Sequence, residues 1–233
     1  MVNFETVFAR KKLQISVYAE NVVRIRVSEN FEPTLFEQYK IYRAPDETGE
    51  SIIDGVKTGK LKVTYEGGKI IFSSDKFSRV IDLDNSDVAE IKDYMNDKLN
   101  AFHDEHVVII GSEDEEQLET KTKEFQTDPK YITVKTDNDL FYGLGESNTD
   151  RLILNGKTYR ERVVYQKYEF PIPFLMTPSG YGILANTSFW HGIDVCARKN
   201  DEIVWYLPQG DIDFMIFAGD TMRDILERYT YVV

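Results

Sequence analysis

Residues 13–27 read LQISVYAENVVRIRV, and apolar side chains occupy alternate positions on both sides of a short polar turn. A period of two is typical of β-strands with one buried face. The stretch therefore predicts a hairpin, and the residues of its buried face would be Leu13, Ile15, Val17, Val23, Ile25 and Val27.

The same strand pattern continues along the chain. Gly67 and Gly68 separate residues 61–65 from 69–72, and paired glycines supply the positive φ angles of a two-residue hairpin turn. After Tyr131, strand-like segments recur about every ten residues, the spacing of a sandwich or barrel. These segments are 131–134, 140–142, 170–176, 181–185, 193–195, 203–206 and 212–217. With no repeat or linker to divide it, the chain is predicted to be one antiparallel β domain, residues 1–233.

Two segments have the period of a helix instead. The first runs from about 87 to 100, and the second follows Thr221, which forms a capping box with Asp224. Between them, residues 107–110 predict a buried strand. The apolar stripes are Val88, Ile91, Met95 and Leu99 in the first helix and Met222, Ile225, Leu226 and Tyr229 in the second.

Composition excludes several classes of function. The 233 residues are 42% apolar and carry a net charge of −12, which excludes disorder and opposes binding to nucleic acid or an anionic membrane. No apolar run is long enough to span a bilayer, and the N-terminus lacks the pattern of a secretory signal. A single cysteine, Cys196, allows no internal disulfide, so a reducing compartment, the cytoplasm, is expected.

Candidate catalytic groups are few. His103 and His106 have a spacing that could serve a metal, but their charged surroundings favour a solvated surface. Asp211 and Asp213 would share a strand face, as paired glycosidase carboxylates can, but strand-edge polarity is the preferred interpretation. Cys196 has no histidine placed to activate it, and a buried small side chain is favoured. We therefore expect neither a metal ion nor a cofactor.

An aromatic segment, residues 188–192, reads SFWHG. A tryptophan beside polar groups suits the apolar C–H faces of a sugar, so Trp190 and His191 are candidate substrate-rim residues. Packing of Phe189 and Trp190 in the core is the preferred interpretation.

The second half of the chain contains blocks that identify a resemblance. They are 141–146 (FYGLGE), 168–177 (YEFPIPFLMT), 180–186 (GYGILAN), 210–220 (GDIDFMIFAGD) and 225–230 (ILERYT). In order and spacing they resemble the N-terminal domain of glycoside hydrolase family 31, the α-glucosidase and α-xylosidase family. The resemblance implies a galactose-mutarotase-like β-sandwich with a short C-terminal helix.

In that family the sandwich lies beside a (β/α)8 barrel, which carries both catalytic aspartates. The resemblance places the start of the barrel just after residues 229–230, so it implies that this chain holds no catalytic residue and is inactive alone. The implied partners are a barrel on the same polypeptide and a carbohydrate at the junction. The whole protein would hydrolyse α-glycosidic bonds with retention.

The resemblance also implies a substrate-facing loop, here residues 147–169. Many members carry an Asn-x-Asp element in it, whereas residues 155–162 read NGKTYRER. Without the aspartate, contact with substrate would shift to Arg160, Glu161 or Tyr165. The alternatives are that the loop packs on the barrel or forms an exposed connection.

Two other functions remain open. A free-standing carbohydrate-binding or aldose-mutarotase-like sandwich would need an acid and a base at the anomeric carbon, and His191 is the histidine in a suitable strand–loop position. A scaffold that binds only protein would suit the negative charge and the amphipathic terminal helix.

Overall fold

The computed structural model describes residues 2–46, 48–84, 87–101, 129–146, 151–161 and 170–233. Within these ranges, strands form two sheets in which every adjacent pair is antiparallel. The seven-stranded sheet has, in order, β1 (Asn3–Phe8), β2 (Lys11–Ala19), β3 (Val22–Ser28), β16 (Ile212–Ala218), β13 (Tyr181–Ala185), β12 (Phe170–Thr177) and β10 (Tyr142–Glu146).

The second sheet has nine strands. Their order is β11 (Lys157–Glu161), β14 (His191–Val195), β15 (Glu202–Leu207), β9 (Lys130–Lys135), β8 (Ser78–Asp82), β7 (Lys69–Ser73), β6 (Leu61–Glu66), β5 (Gly55–Thr58) and β4 (Glu50–Ile52). The predicted fold, a mainly antiparallel β-sandwich, is confirmed.

The apolar alternation of the strands produces the core between the sheets. All six apolar residues predicted for the first hairpin are buried there. Aromatic pairs join the sheets, with ring centroids 5.3 Å apart for Trp205 and Phe214 and also for Phe72 and Tyr181. The Gly67-Gly68 turn is confirmed as well, because both residues have positive φ, 55° and 82°.

Helix α2 (Val88–Ala101) covers the outer face of the nine-stranded sheet. Ile91, Met95 and Leu99 are buried against Val204 and other outer-face residues, as the apolar period predicts. Val88 is 47% exposed, so its place in the predicted stripe is wrong. It is the first residue of α2, and the buried stripe begins one turn later.

The outer face of the seven-stranded sheet is covered by α1 (Leu35–Gln38) and the C-terminal helix α3 (Met222–Val232). The capping box of α3 is confirmed, since Thr221 Oγ1 accepts from the Asp224 amide and the Asp224 carboxylate accepts from the Thr221 amide. Leu226 is 44% exposed, contrary to the predicted stripe.

Residues 140–146 differ from the strand predicted at 140–142. The strand begins only at Tyr142, and Gly143 and Gly145 lie inside it, on either side of a bulge in the pairing of β10 with β12. A Cβ at Gly143 would lie 2.2 Å from the Phe174 carbonyl oxygen, so close approach of two backbones requires glycine here. Pro171 lies opposite Gly145 at this bulge, as expected for a proline without a ladder donor.

The strand predicted at residues 107–110 lies outside the described residues. Among the described helices, none is long and apolar enough to cross a membrane.

Candidate functional site

One end of the sandwich collects most of the predicted rim residues. In the nine-stranded sheet, β11 ends at Glu161 opposite His191, where β14 begins. In the other sheet, β10 ends opposite Phe170, where β12 begins. Two short connections between the sheets, residues 186–190 and 208–211, close this end, and residues 29–34 lead from it to the helix at 35–38. We call it the loop end.

His191 and Glu161 lie on the inner face of the sandwich at the loop end. They are directly opposite each other in the register, and they are 4% and 3% exposed. The same face of β14 carries Ile193 and Val195, which belong to the main core. These two candidates are therefore buried at the edge of the core rather than displayed on a rim.

The imidazole of His191 is held neutral. Burial lowers its pKa to about 4, against a small opposing effect of the Phe189 carbonyl oxygen 3.3 Å from Nδ1. Because that carbonyl oxygen can only accept, Nδ1 carries the hydrogen and Nε2 is left as an acceptor. Nε2 has no hydrogen-bond partner among the described residues. Proton transfer to a sugar needs a group that the sugar can reach, and this imidazole is enclosed.

Arg160 and Trp190 lie on the opposite, outer face of the same sheet. The Arg160 guanidinium carbon is 5.0 Å from the centroid of the Trp190 ring, and Trp190 packs on Tyr206 at 5.4 Å. Tyr206 in turn packs on Tyr131 beside α2. Trp190 therefore belongs to the cluster under α2. This supports the packing interpretation and not a free platform on which a sugar could stack. Trp190 is still partly exposed to solvent.

The candidates thus separate into two sets on opposite faces of one sheet. Strand alternation explains this, because adjacent residues of a strand point to opposite faces. Residues Arg160 and Glu161 are adjacent, as are Trp190 and His191, so neither pair could face one site. The fifth candidate, Tyr165, lies outside the described residues, as do His103 and His106.

A charged cluster that the sequence did not predict lies on the outer face of the seven-stranded sheet, near the loop end. Arg24 donates from Nε and Nη2 to the two carboxylate oxygens of Asp213 at 2.9 and 2.7 Å, and from Nη1 to Glu37 at 2.6 Å. Asn186 Nδ2 donates to Asp213 at 2.8 Å. Arg24 and Asp213 are both buried.

This cluster is suited to anchoring rather than to catalysis. Burial alone would raise the pKa of Glu37, but hydrogen bonds from Arg24 and Thr34 lower it to about 2. Burial opposes the charge on Arg24, and the hydrogen bonds to Asp213 and Glu37 overcome it and raise its pKa. Arg24 and Glu37 therefore stay charged near neutral pH, whereas burial raises the pKa of Asp213 against the opposing hydrogen bonds from Arg24 and Asn186. The cluster fixes the segment that carries α1 to the sheet.

The strand-edge interpretation of the two aspartates holds for one of them. Asp211 precedes β16 and accepts from Ser28 Oγ at 2.6 Å, which joins the segment before β16 to the end of β3. Asp213 is instead an interior member of the charged cluster, directly opposite Arg26. The sequence does contain a signal for this cluster. Two arginines alternate with apolar residues in β3, and β16 contains a single carboxylate.

Other candidate chemistry is limited within the described ranges. No group of three or more His, Cys, Asp or Glu side chains there is arranged to hold a metal ion. Cys196 is buried, and burial raises the pKa of its thiol to about 11, so the reactive thiolate is suppressed at neutral pH. This agrees with the small buried side chain that the sequence predicted.

Comparison with known proteins matches most of this chain to a family model. Residues 12–194 match the glycosyl hydrolase 31 N-terminal galactose mutarotase-like domain. An alpha-xylosidase of Saccharolobus solfataricus is 29% identical over 87 residues, which are 37% of this chain and 11% of that protein.

Solved structures with the same fold belong to much longer chains. A GH31 alpha-xylosidase from a soil metagenome, complexed with xylose, matches 99% of this chain with a TM-score of 0.61 and 14% identity. A Flavobacterium johnsoniae GH31 dextranase, complexed with glucose, matches 100% with a TM-score of 0.57 and 13% identity. This chain covers 33% and 28% of those proteins, respectively.

Proposed function

The chain belongs to the family of glycosyl hydrolase 31 N-terminal galactose mutarotase-like domains, and from this membership we propose that it is the non-catalytic N-terminal domain of a retaining α-glycosidase. Its partner is a catalytic (β/α)8 barrel on the same polypeptide, which follows residue 233. The family match over residues 12–194 is the observation that carries this proposal.

The named relatives indicate the substrate class. They include alpha-xylosidases and a dextranase, all of which act on glycosides, so we infer an α-glycosidase of the α-glucosidase or α-xylosidase type for the whole protein. This chain spans a third or less of the relatives' lengths, which is consistent with a separate catalytic part.

The loop end is the part of the domain that we propose shapes the sugar-binding rim. Of the described candidates, Arg160 and Trp190 are the better ones for a contact with sugar, because both are partly exposed whereas His191 and Glu161 are buried. His191 and Glu161, which are buried, would hold β11 and β14 in place beneath them. Tyr165 stays a rim candidate from sequence.

The proposal is tested with the purified 233-residue chain and p-nitrophenyl α-glucoside and α-xyloside. No release of p-nitrophenol above the buffer rate is expected, because the two catalytic aspartates would lie on the barrel. Turnover that persists through repeated purification would overturn the assignment of a non-catalytic domain.

A mutarotase function makes a different prediction for the same chain. It requires acceleration of glucose anomer exchange, measured by NMR at micromolar protein, with His191 as the acid or base. The enclosed position of that imidazole leads us to expect no acceleration.

The compartment that we propose is the cytoplasm, supported by a composition with one cysteine.

A further inference from the structure

A pocket of about 370 Å³ lies at the end of the sandwich opposite the loop end. Three elements meet there: the turn between β2 and β3, the turn between β5 and β6, and α3 with the connection that leads to it from β16. Every residue that lines the pocket lies within the described ranges. Small-molecule sites measure roughly 300–1,000 Å³, so this pocket has the size for one small ligand. We call it the helix pocket.

Asn21, in the turn between β2 and β3, supplies a fixed donor in one wall of the helix pocket. It is 6% exposed, and its Oδ1 accepts from the Lys60 amide at 2.6 Å. A Cβ at Gly59 would lie 2.4 Å from Oδ1, so the glycine leaves the space that this side chain occupies. Because a backbone amide only donates, the atom that faces Lys60 is the oxygen, and Nδ2 faces the other way. Among the described residues, Nδ2 has no hydrogen-bond partner.

Arg228 of α3 is a second group in the lining whose donors are not used. Its Nε is buried and has no hydrogen-bond partner in the described part of the chain. A carboxylate oxygen of Glu20 is 3.6 Å from Nη1, which is beyond hydrogen-bond distance. Polar groups that are enclosed to this extent normally have a partner. The unused donors of Asn21 and Arg228 therefore indicate that the helix pocket is built to hold a ligand.

The wall formed by α3 supplies acceptors. Asp224 and Glu227 lie three residues apart, on the face of the helix that also carries Arg228. Asp224 Oδ2 accepts from the Thr221 amide, and Glu227 Oε1 accepts from the Arg223 side chain. Within the described ranges, the second oxygen of each carboxylate accepts no hydrogen bond. The helix pocket thus offers acceptors beside the unused donors.

The charges of the helix pocket oppose two other kinds of ligand. The carboxylates are those of Asp220, Asp224 and Glu227, and the cations are Lys60 and Arg228. Because the carboxylates outnumber the cations, an anion would be repelled. No group of three or more His, Cys, Asp or Glu side chains in the described residues is arranged to hold a metal ion. A neutral molecule that both donates and accepts hydrogen bonds fits this lining, and hydroxyl groups do both.

Tyr231 adds an apolar surface to the same face of α3, three residues after Arg228. Its ring is 45% exposed, and the Arg43 guanidinium carbon lies 4.3 Å from the ring centroid and holds it in place. An aromatic ring beside hydrogen-bonding groups suits a sugar, which has apolar C–H faces and hydroxyl groups around its edge.

We propose that the helix pocket binds one neutral pyranose unit. Asn21 and Arg228 donate to its hydroxyl groups, and Asp224 and Glu227 accept from them. The choice of a sugar among neutral polyols rests on the proposed function, which makes glycosides the substrates of the whole protein. The rim candidates lie at the loop end, so this site gives the domain a second contact with carbohydrate at its opposite end.

Titration of the 233-residue chain with glucose and with xylose tests the proposal. Asparagine-selective isotope labelling lets NMR follow the side-chain amide of Asn21. Saturable shifts of this signal are expected, with a dissociation constant on the order of 1–10 mM, as for a single small ligand in an open polar pocket. The side-chain amide of Asn186, which donates to the buried Asp213 carboxylate, is the control and should not shift. Shifts that do not saturate, or equal shifts with glycerol, would overturn the site.

Variants locate the bound sugar. Asn21→Asp keeps an oxygen toward Lys60 but replaces the unused donor by an acceptor, so the affinity for glucose should fall by at least about tenfold. The affinity is followed on the backbone amide signal of Gly219, which lines the pocket. Asn138→Asp is the matched control, because Asn138 is exposed and also has positive φ, 53° against 61° for Asn21. It should bind as the wild type does.

Arg228→Met keeps the test valid if Asn21→Asp fails to fold. Arg228 makes no hydrogen bond in the described part of the chain, so this variant should unfold at the wild-type temperature. Its affinity for glucose should also fall by at least about tenfold. Wild-type affinity in a folded Arg228→Met chain would place the sugar elsewhere and overturn the site.

The outcomes separate this site from the proposed function. No binding by the 233-residue chain, together with a complete polypeptide that hydrolyses α-glycosides, would overturn the site alone. Binding that depends on Asn21 and Arg228, together with a complete polypeptide that hydrolyses no glycoside, would support the site and overturn the proposed function. Loss of the Asn21 shifts in the complete polypeptide would mean that another part of the protein covers the pocket, and would overturn the site.

Discussion

Replacing His191 by glutamine is expected to remove a defined part of the acid sensitivity of folding. Burial lowers the pKa of this imidazole from an ordinary value of 6.5 to about 4. The unfolded chain therefore binds the proton at a higher pH than the folded chain does. Stability is fully present above pH 6.5 and is lost as the pH falls towards 4.

The size of the effect follows from the two pKa values. Each unit of difference corresponds to about 1.4 kcal/mol, so the wild-type protein should lose about 2 kcal/mol at pH 5 and about 3 kcal/mol below pH 4. Glutamine is neutral over the whole range and cannot contribute this loss. Carboxylates such as Glu37 titrate in both proteins, so their contributions cancel in the difference.

Urea unfolding at pH 7.5, 6.0 and 5.0 measures this difference. The free energy of unfolding of His191→Gln minus that of the wild type should rise by about 2 kcal/mol between pH 7.5 and pH 5. The value at pH 7.5 removes any constant cost of the substitution. Parallel pH curves for the two proteins would refute the reasoning, since they would mean that the imidazole titrates normally in the folded state.

Two further predictions concern the charged cluster and the bulge. Arg24→Met should lower the free energy of unfolding by about 3 kcal/mol, because it removes two charge-assisted hydrogen bonds from the buried Asp213 carboxylate and leaves it only the Arg26 guanidinium at 3.5 Å. Arg223→Met, at an exposed pair, should change the free energy of unfolding little, and equal effects of the two variants in denaturant titrations would contradict this account. Gly143→Ala should lower the free energy of unfolding by at least about 2 kcal/mol, because the added Cβ would meet a backbone oxygen. Gly67→Ala has open space around the added Cβ, so it should lower the free energy of unfolding by only about 1 kcal/mol, the cost of its positive φ. Thermal unfolding of the two glycine variants checks this, and a larger shift for Gly67→Ala would be the contrary result.

Much of the fold is predictable from periodicity. The hairpin at residues 13–27 and the turn at Gly67-Gly68 are found where the sequence predicts them, because a two-residue alternation and paired glycines act locally. The apolar stripes of the helices are less informative. Leu226 fits the helical period but is exposed, since the period gives the angle of a side chain and not the width of the sheet beneath it.

The candidate site was predictable only in part. The aromatic segment and the Arg160-Glu161 pair do gather at the loop end, but adjacent residues of a strand cannot share one face. The alternating arginines of β3 are a local pattern, but their partners Glu37 and Asp213 lie far away in the chain, so the sequence does not reveal the cluster that they form. The bulge at Gly143 also depends on a second strand, because glycine is required there by the approach of Phe174.

The most direct test of the central claim is the hydrolysis of p-nitrophenyl α-glucoside and α-xyloside by the polypeptide of the complete reading frame, with the anomer of the released sugar followed by NMR. We predict turnover with the α-anomer released first, as retention requires. A complete polypeptide that releases no sugar from either substrate, or that releases the β-anomer first, would contradict the account.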